Sequence, residues 1–386
     1  MSVAALDQEH RVTPRELFFD LVFVFAFTQV ATLLAGDPTF AGIGRSVLVL
    51  AALWWVWSAY AWLTNIVDPE LELIGGALLV ALISMFVAAL VVPGVFADEG
   101  VIFGAAFLVV WVMHTALYTL AGRGNPDLLG AVLRLAPWTL IAAILIFVAG
   151  WVDGLRTWLW VAALVLGYGG ALLTGSNGWR VYPSHFAERH GLVIIIALGE
   201  AFIAIGIGAT GTSLGPGEII AAILGLLVAT SIWLAYFDFF SIRGERLLGD
   251  ASGQERVALA RDIYTFLHFP MIVGIVLFAF AMKIVLAHVG DELDSVAAFA
   301  LCSGSALYLL TYSAIRSRVE RRWRLSRGRF VAAVAVLVLL PVATTVPALV
   351  ALGLLTVVWL GLHTYELVWW REARAESRAL ITSGES

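Results

Sequence analysis

Near its start the chain reads RELFFDLVFVFAFTQ, residues 15–29. The stretch opens a long apolar run, yet it carries the carboxylates of Glu16 and Asp20. Because the two are four residues apart, a helix places both on one face. A charged side chain in a membrane helix costs about 3 kcal/mol at the centre and less near an end, so it normally has a partner or a water-filled cavity. We therefore expect an ion pair here, with Arg15 and Arg11 as the nearest candidate partners.

The composition is that of a membrane protein. The 386 residues are 61% hydrophobic and only 13% charged, with a mean hydropathy of +0.95, whereas a soluble domain has about a quarter charged residues. Twelve apolar runs are long enough to cross about 30 Å of hydrocarbon: 17–35, 43–64, 73–96, 101–121, 132–152, 155–175, 190–210, 217–241, 264–287, 295–315, 329–345 and 348–370. We predict an all-α, polytopic membrane protein with about twelve transmembrane helices. The sequence has no nucleotide-binding glycine loop and no cysteine cluster, so we expect no cofactor.

The basic residues set the orientation through the positive-inside rule. Twenty arginines lie in the N-terminal segment and in the loops on its side, whereas the opposite loops hold only Arg45 and Arg156. We therefore predict that both termini are cytoplasmic. The same rule, together with anionic lipid, accounts for the basic loops, so we expect the lipid bilayer as a partner and no nucleic acid.

A second pattern of a polar start followed by a long apolar run begins halfway along the chain. HFAERHG, residues 185–191, leads into a second long apolar run. At an offset of 171 Gln29 meets Glu200, and at an offset of 176 Trp57 meets Trp233. Because six is an even number of spans, a six-plus-six duplication gives parallel repeats. We predict a cytoplasmic segment 1–14, a first six-helix repeat 15–175, a second six-helix repeat 184–370 and a cytoplasmic tail 371–386.

The seventh predicted span holds the deepest acid of the chain, Glu200, ten residues past His190. No basic residue is near it in sequence, so it requires protonation, a partner from another span or a water-filled cavity. His185 and Glu188 lie one helical turn apart before it. Because five residues turn a helix by about 140°, His185 and His190 diverge. We expect no metal site there, but an ion-pair cluster with Arg189.

Two further features of the first half concern a path through the membrane. Gln29 lies about half a turn from Asp20, so the first helix presents polar groups in two directions, as a helix inside a bundle does. Trp54, Trp55 and Trp57 crowd the second span. Aromatic residues near the end of a span usually form a belt at the membrane interface. The alternative is that they line a cavity.

Two motifs match one known family. PRELFFDLVFVFAFTQ at Pro14–Gln29 and HFAERHGLVIIIALGE at His185–Glu200 resemble the signatures of the bacterial low temperature requirement A family, in the expected order. The resemblance covers essentially the whole chain. It implies a multi-pass protein of the bacterial inner membrane, named for a growth requirement in the cold, and it implies no particular activity.

A second, weaker similarity concerns the first helix alone. Its F-x-D-x-V-F pattern at residues 18–23 is similar to the F-S-D signature of a lysosomal and bacterial potassium-channel family. Members of that family also use six-helix repeats and line the pore with this helix. The chain departs from the signature at Phe19, where the family has serine, and at Gly191, where the second repeat would carry the counterpart of Asp20.

These observations favour the movement of a small solute or ion over an enzymatic role. The residues that we expect to line the path are Glu16, Asp20, Gln29, Glu188, His190 and Glu200. One alternative is a membrane-embedded enzyme that acts on lipid and uses the same carboxylates and histidines as acid and base. Another is a non-catalytic scaffold that supports growth in the cold. The sequence leaves the solute, the direction and the oligomeric state open.

The arginine distribution makes a testable prediction about topology. Reporters fused after Asn125, Asp250 and Leu325 should read as cytoplasmic, because arginine-rich segments stay on that side. Reporters fused after Asp98, Gly215 and Glu292 should read as external. Paired phosphatase and fluorescent-protein fusions measure both outcomes. A single loop on the wrong side contradicts the twelve-span topology.

Overall fold

The computed structural model describes residues 11–210, 215–238, 240–320 and 327–369. Within them the α-helices are α1 (Pro14–Gly36), α2 (Phe40–Ile66), α3 (Glu72–Leu90), α4 (Gly100–Gly122), α5 (Pro126–Ala149), α6 (Arg156–Leu173), α7 (Pro183–Thr210), α8 (Pro216–Phe237), α9 (Phe240–Asp250), α10 (Gly253–Leu259), α11 (His268–Ala287), α12 (Ser295–Glu320), α13 (Arg327–Ala343) and α14 (Ala348–Trp369). The predicted tail 371–386 and most of the predicted segment 1–14 lie outside the described residues.

The predicted all-α, polytopic architecture is confirmed. Eleven helices in the described parts of the chain are long and apolar enough to cross a membrane. The predicted span missing from that set is α13, which has 17 residues and ends at Ala343, two residues after Pro341. Large apolar side chains such as Leu21, Ile83 and Val338 are 60–64% exposed, as expected for surfaces that face lipid.

The start of α1 is defined by its capping residues. Thr13 accepts from the backbone N–H of Glu16 at 3.4 Å, and the Glu16 carboxylate accepts from the Thr13 N–H at 2.9 Å. This reciprocal pair is a capping box, and Pro14 follows the cap. The cap therefore fixes the position of Glu16 in the first turn, where the positive end of the helix dipole favours an acid.

The helices form two compact units. The first comprises Met1–His190 and Leu248–Thr265, and the second comprises Gly191–Leu247 and Phe266–Ser386. In the first unit α3, α4, α5 and α6 pack in sequence, and α2 contacts α1, α4 and α6. In the second unit α11, α12, α13 and α14 pack in sequence, and α8 contacts α11 and α14.

The sequence predicts a polar loop at 242–262, and this expectation is wrong. The segment is helical: α9 and α10 are followed by a π-helical stretch, Ala260–Leu267. Short helices with charged faces read as loops when only apolar runs are counted. The π-helical stretch leaves polar atoms available to side chains of α2. Trp54 donates to the Thr265 carbonyl at 2.8 Å, and Trp62 donates to the Thr265 hydroxyl at 2.9 Å.

Candidate functional site: a buried ion-pair cluster

Two carboxylates of α1 lie against two basic side chains of α7. His185 Nε2 lies 3.0 Å from Glu16 Oε1, and Arg189 donates to Glu16 Oε1 at 2.6 Å. Arg189 also donates to Asp20 Oδ1 at 2.7 Å. All four side chains are at most 1% exposed. We call these four residues the α1–α7 ion-pair cluster.

The pairs of the cluster are in register. Glu16 and His185 are 169 residues apart, and so are Asp20 and Arg189. Both helices begin at a proline, and these two prolines are also 169 residues apart. An acid on one helix therefore faces a base at the equivalent position of the other. This pairing requires α1 and the start of α7 to run in the same direction from the same level.

The predicted partner of the two acids was the wrong arginine. Arg15 lies 3.4 Å from the carboxylate of Glu70 and donates to the Pro69 carbonyl at 2.9 Å. A neighbouring residue on a helix points about 100° away from Glu16, so proximity in sequence does not give contact. Arg189 is the partner of both acids. The sequence predicts for Arg189 only an ion-pair cluster with residues near it in the chain.

The hydrogen bonds around His185 identify its protonated nitrogen. Asn65 is oriented by the backbone of Tyr182, because its amide nitrogen donates to the Tyr182 carbonyl at 2.9 Å and its oxygen accepts from the Tyr182 N–H at 2.8 Å. The same amide nitrogen lies 3.0 Å from His185 Nδ1, which must accept from it. His185 is therefore neutral in this arrangement, and it donates from Nε2 to Glu16.

Aromatic side chains enclose the other side of the cluster. Trp57 donates to Asp20 Oδ1 at 2.9 Å, and its ring centre lies 4.9 Å from that of His190, edge to face. His190 donates from Nδ1 to the Phe186 carbonyl at 2.8 Å. Trp54 and Trp57 are fully buried, so the interpretation of these residues as an interfacial belt is wrong. They line the interior and supply hydrogen-bond donors there.

Two atoms of the cluster lack a hydrogen-bond partner among the described residues. They are Asp20 Oδ2 and Arg189 Nε. An unsatisfied buried polar group costs about 1–3 kcal/mol, and more when it is charged. The arrangement therefore leaves one acceptor and one donor of the cluster unsatisfied.

Three of the predicted path residues lie away from the cluster, and they are Gln29, Glu188 and Glu200. Gln29 is half-buried and sits nine residues beyond Asp20, about 13 Å farther along α1. Glu188 is exposed and accepts from the backbone N–H of Val12 at 3.3 Å. The turn of the helix explains the second case, because Glu188 points away from the face that carries Arg189. In the described parts of the chain, no three His, Cys, Asp or Glu side chains meet in a way that could hold a metal ion.

Glu200 belongs to a separate pair in the second unit. Its carboxylate is fully buried and lies 3.2 Å from the ammonium group of Lys283, whose side chain is 18% exposed. Lys283 thus pairs with an acid of another helix, although Asp291 and Glu292 are the acids nearest to it in sequence. Of the three ways to accommodate Glu200, the structure shows a partner from another helix.

The second unit holds another buried pair. Arg329 donates to the Glu366 carboxylate at 2.6 and 3.1 Å, and its guanidinium lies 3.5 Å from the ring centre of Tyr312. Both charged residues are at most 5% exposed. Glu366 is therefore buried in the protein although it lies near the end of α14. It forms a buried ion pair of one acid and one base.

The register of the cluster predicts the outcome of a charge exchange. Asp20→Arg and Arg189→Asp should each destabilise the protein by about 3–5 kcal/mol, because each leaves buried charges without partners. The double variant restores opposite charges at 20 and 189, so it should be more stable than either single variant. Thermal unfolding of the purified proteins measures this. As a control, Asp20→Arg combined with Arg329→Asp should show simply additive losses, because Arg329 is paired with Glu366.

The pair of Glu200 and Lys283 predicts unequal effects from its two members. Lys283→Met leaves a fully buried carboxylate without this cation and should lower stability by about 3–5 kcal/mol. Glu200→Gln should cost less, since the partly exposed lysine can extend towards water. Melting temperatures of both variants test the difference. Equal losses would mean that Lys283 is as confined as Glu200.

Comparison with known proteins agrees with this architecture. The profile of the family described as Bacterial low temperature requirement A protein matches residues 11–364. An uncharacterized protein of Rhizobium meliloti (strain 1021) is 30% identical over 290 residues, which cover 71% of this chain and 69% of that protein. No solved structure matches the chain. The α1–α7 ion-pair cluster lies within the region matched by the family profile, and the chain belongs to the bacterial low temperature requirement A family.

Proposed function

We propose that this protein lets a small cation cross the inner membrane of a bacterium, with the α1–α7 ion-pair cluster as the gate. The observation that carries the proposal is the complete burial of Glu16, Asp20, His185 and Arg189 on two parallel helices. With both termini cytoplasmic, as the arginine distribution predicts, the cluster lies at the cytoplasmic end of the path.

A purely structural role explains the cluster less well. Replacing a buried ion pair by well-packed apolar side chains is often neutral or stabilising. A membrane helix gains nothing in stability from carrying two carboxylates that need an arginine from another helix. Ionisable groups inside a membrane usually mark the path of an ion or a proton. The unsatisfied atoms of Asp20 and Arg189 add to the cost of the closed arrangement.

The charge of the cluster favours a cation as the passenger. Glu16 and Asp20 bring two negative charges and Arg189 brings one positive charge, while the hydrogen bonds of His185 fit the neutral ring. The sum is one negative charge in a site shielded from solvent, where electrostatic interactions are stronger than in water. An entering cation competes with Arg189 for the carboxylates. Protons and alkali-metal ions carry the same charge, so only a flux measurement with separate ions distinguishes them.

Two features support the parallel repeats 15–175 and 184–370 as the framework of this path. The helices α3 to α6 of the first unit and α11 to α14 of the second follow the same order of contacts. The constant offset of 169 between paired residues of α1 and α7 is the second feature. In parallel repeats the first helices are equivalent, so a gate between them opens when these helices separate.

The proposal predicts that Asp20→Asn lowers cation flux at least tenfold. The amide keeps the shape of Asp20 and removes its charge, which brings the cluster to zero net charge while Arg189 stays paired with Glu16. The measurement uses purified protein in proteoliposomes, with a panel of ions: K⁺ and Na⁺ followed by ion-selective dyes, protons by a pH dye, and Cl⁻ as the anion.

Glu366→Gln provides the matched control for that measurement. Like Asp20, Glu366 is buried and paired with an arginine, but its pair lies outside the cluster. Its flux should match that of the parent protein. Equal loss in both variants would assign the effect to general destabilisation. Flux of Cl⁻ alone, or no flux of any ion through folded protein, would contradict the proposal.

A further inference from the structure

A groove between α1 and α3 lies in the first unit, outside the ion-pair cluster. We call it the α1–α3 groove, and its lining includes Arg15, Phe18, Glu72, Gly76, Leu79 and Leu82. Its volume is about 460 Å³, and ligand pockets in proteins span roughly 300–1,000 Å³. The groove and the α1–α7 ion-pair cluster share no residue, so a ligand in the groove is independent of the proposed cation path.

Two glycines of α3 give the groove its space. A Cβ atom on Gly75 would lie 2.4 Å from Arg15 Nη1, so the glycine allows the arginine to lie against α3. A Cβ atom on Gly76 would meet no heavy atom within 4 Å. The side chain missing at Gly76 therefore leaves open space between the two helices.

The groove is charged at one end and apolar along the rest. Arg15 and Glu72 lie in the first turns of α1 and α3. Leu82 follows Glu72 by ten residues, which places it about 15 Å farther along the helix. Phe18 and Leu79 are 55% and 50% exposed. A phospholipid has the same order, with a charged headgroup followed by an acyl chain, and exposed apolar patches mark sites of membrane interaction.

The charges at the polar end distinguish between headgroups. Arg15 lies 3.4 Å from the carboxylate of Glu70, and these side chains are 42% and 48% exposed. Its Nη1 donates to the Pro69 carbonyl at 2.9 Å, whereas Nη2 has no acceptor among the described residues. Glu72 is exposed and pairs with no cation in the described parts of the chain. Two acids and one cation leave an excess of one negative charge.

We propose that the α1–α3 groove binds a phospholipid whose headgroup carries a primary ammonium group, as in phosphatidylethanolamine. The ammonium group donates to Glu72, and the phosphate accepts from Arg15 Nη2. The acyl chain covers Phe18 and Leu79 and so removes apolar surface from the open groove. An anionic headgroup would add to the negative excess. A quaternary ammonium group has no N–H to donate to the carboxylate.

Native mass spectrometry of the full chain tests the proposal, because it resolves bound lipids by their mass. The purified protein is incubated in detergent with equal amounts of phosphatidylethanolamine, phosphatidylglycerol and phosphatidylcholine that have identical acyl chains. We expect phosphatidylethanolamine to be retained about threefold more than either competitor, which is the selectivity that one exposed ion pair provides.

Two variants, each with a matched control, locate the lipid. Gly76→Leu fills the open space of the groove and should abolish the retention. Its control is Gly169→Leu on α6, where a Cβ atom also meets no heavy atom within 4 Å. Glu72→Gln keeps the groove open and should abolish the preference for phosphatidylethanolamine. Its control is Glu255→Gln, which neutralises an exposed acid in the first turn of α10. Both controls should behave like the parent protein.

Several results would overturn the proposal. Strongest retention of phosphatidylglycerol would replace it with a site for anionic lipid. Equal retention of the three lipids would leave only unselective contact with the bilayer, and retention of none would mean that no lipid occupies the groove. Equal effects of Gly169→Leu and Gly76→Leu would place the lipid elsewhere. If Gly76→Leu does not fold, the preference measured in Glu72→Gln still decides.

Discussion

The salt bridges from Arg189 to Glu16 and Asp20 allow α1 to carry two carboxylates through a region where water is scarce. Without that guanidinium each acid would have to be neutralised or hydrated, and either change alters the start of the helix. The interaction also fixes the position of α1 in the first unit, because a bidentate, planar donor tolerates little displacement. The capping box strengthens the constraint, since Glu16 holds the N-terminus of α1 and accepts from α7 at the same time.

The second unit stabilises its buried charges in a different way. Arg329 pairs with Glu366, and its guanidinium lies over the ring of Tyr312. Lys283 of α11 pairs with Glu200 of α7. Each of these pairs consists of one acid and one base. The cluster of the first unit has two acids for one permanent cation. Among the buried ion pairs of the described residues, the cluster is therefore the one with an excess of acids over permanent cations.

The long helices were predictable because each of them contains a run of apolar residues, whereas the short, charged helices α9 and α10 were not. The predicted first span 17–35 became α1, and even its cap at Thr13 and Pro14 could be read from residue types. The contacts were not predictable in the same way. Arg189 stands 169 residues from Asp20, and nothing in either local sequence specifies the other. The one available signal was the second apolar run with its polar start at residues 185–191, from which we predict that α1 and α7 begin at the same level.

The tryptophans of α2 show a related limit. Tryptophans near the end of a span are typical of an interfacial belt. The same residue type also fits the buried interior of a helix bundle, so the sequence alone does not decide between the two. Only the neighbours decide, and these come from α1 and from the π-helical stretch. Lys283 shows the same limit. Its nearest acids in sequence lie beyond the end of its helix, whereas Glu200 faces it across the bundle.

The hydrogen bonds of Asn65 have a consequence for the chain that connects α6 to α7. The Nδ1 atom of His185 accepts from the amide of Asn65, and that amide is held by both backbone groups of Tyr182. In the other ring tautomer a hydrogen on Nδ1 would face the amide hydrogens of Asn65, so that tautomer requires the amide to turn over. Turning it breaks both bonds to Tyr182. The presence of a hydrogen on one imidazole nitrogen is thereby coupled to the backbone of the segment that connects α6 to α7. The coupling runs through an uncharged side chain, that of Asn65.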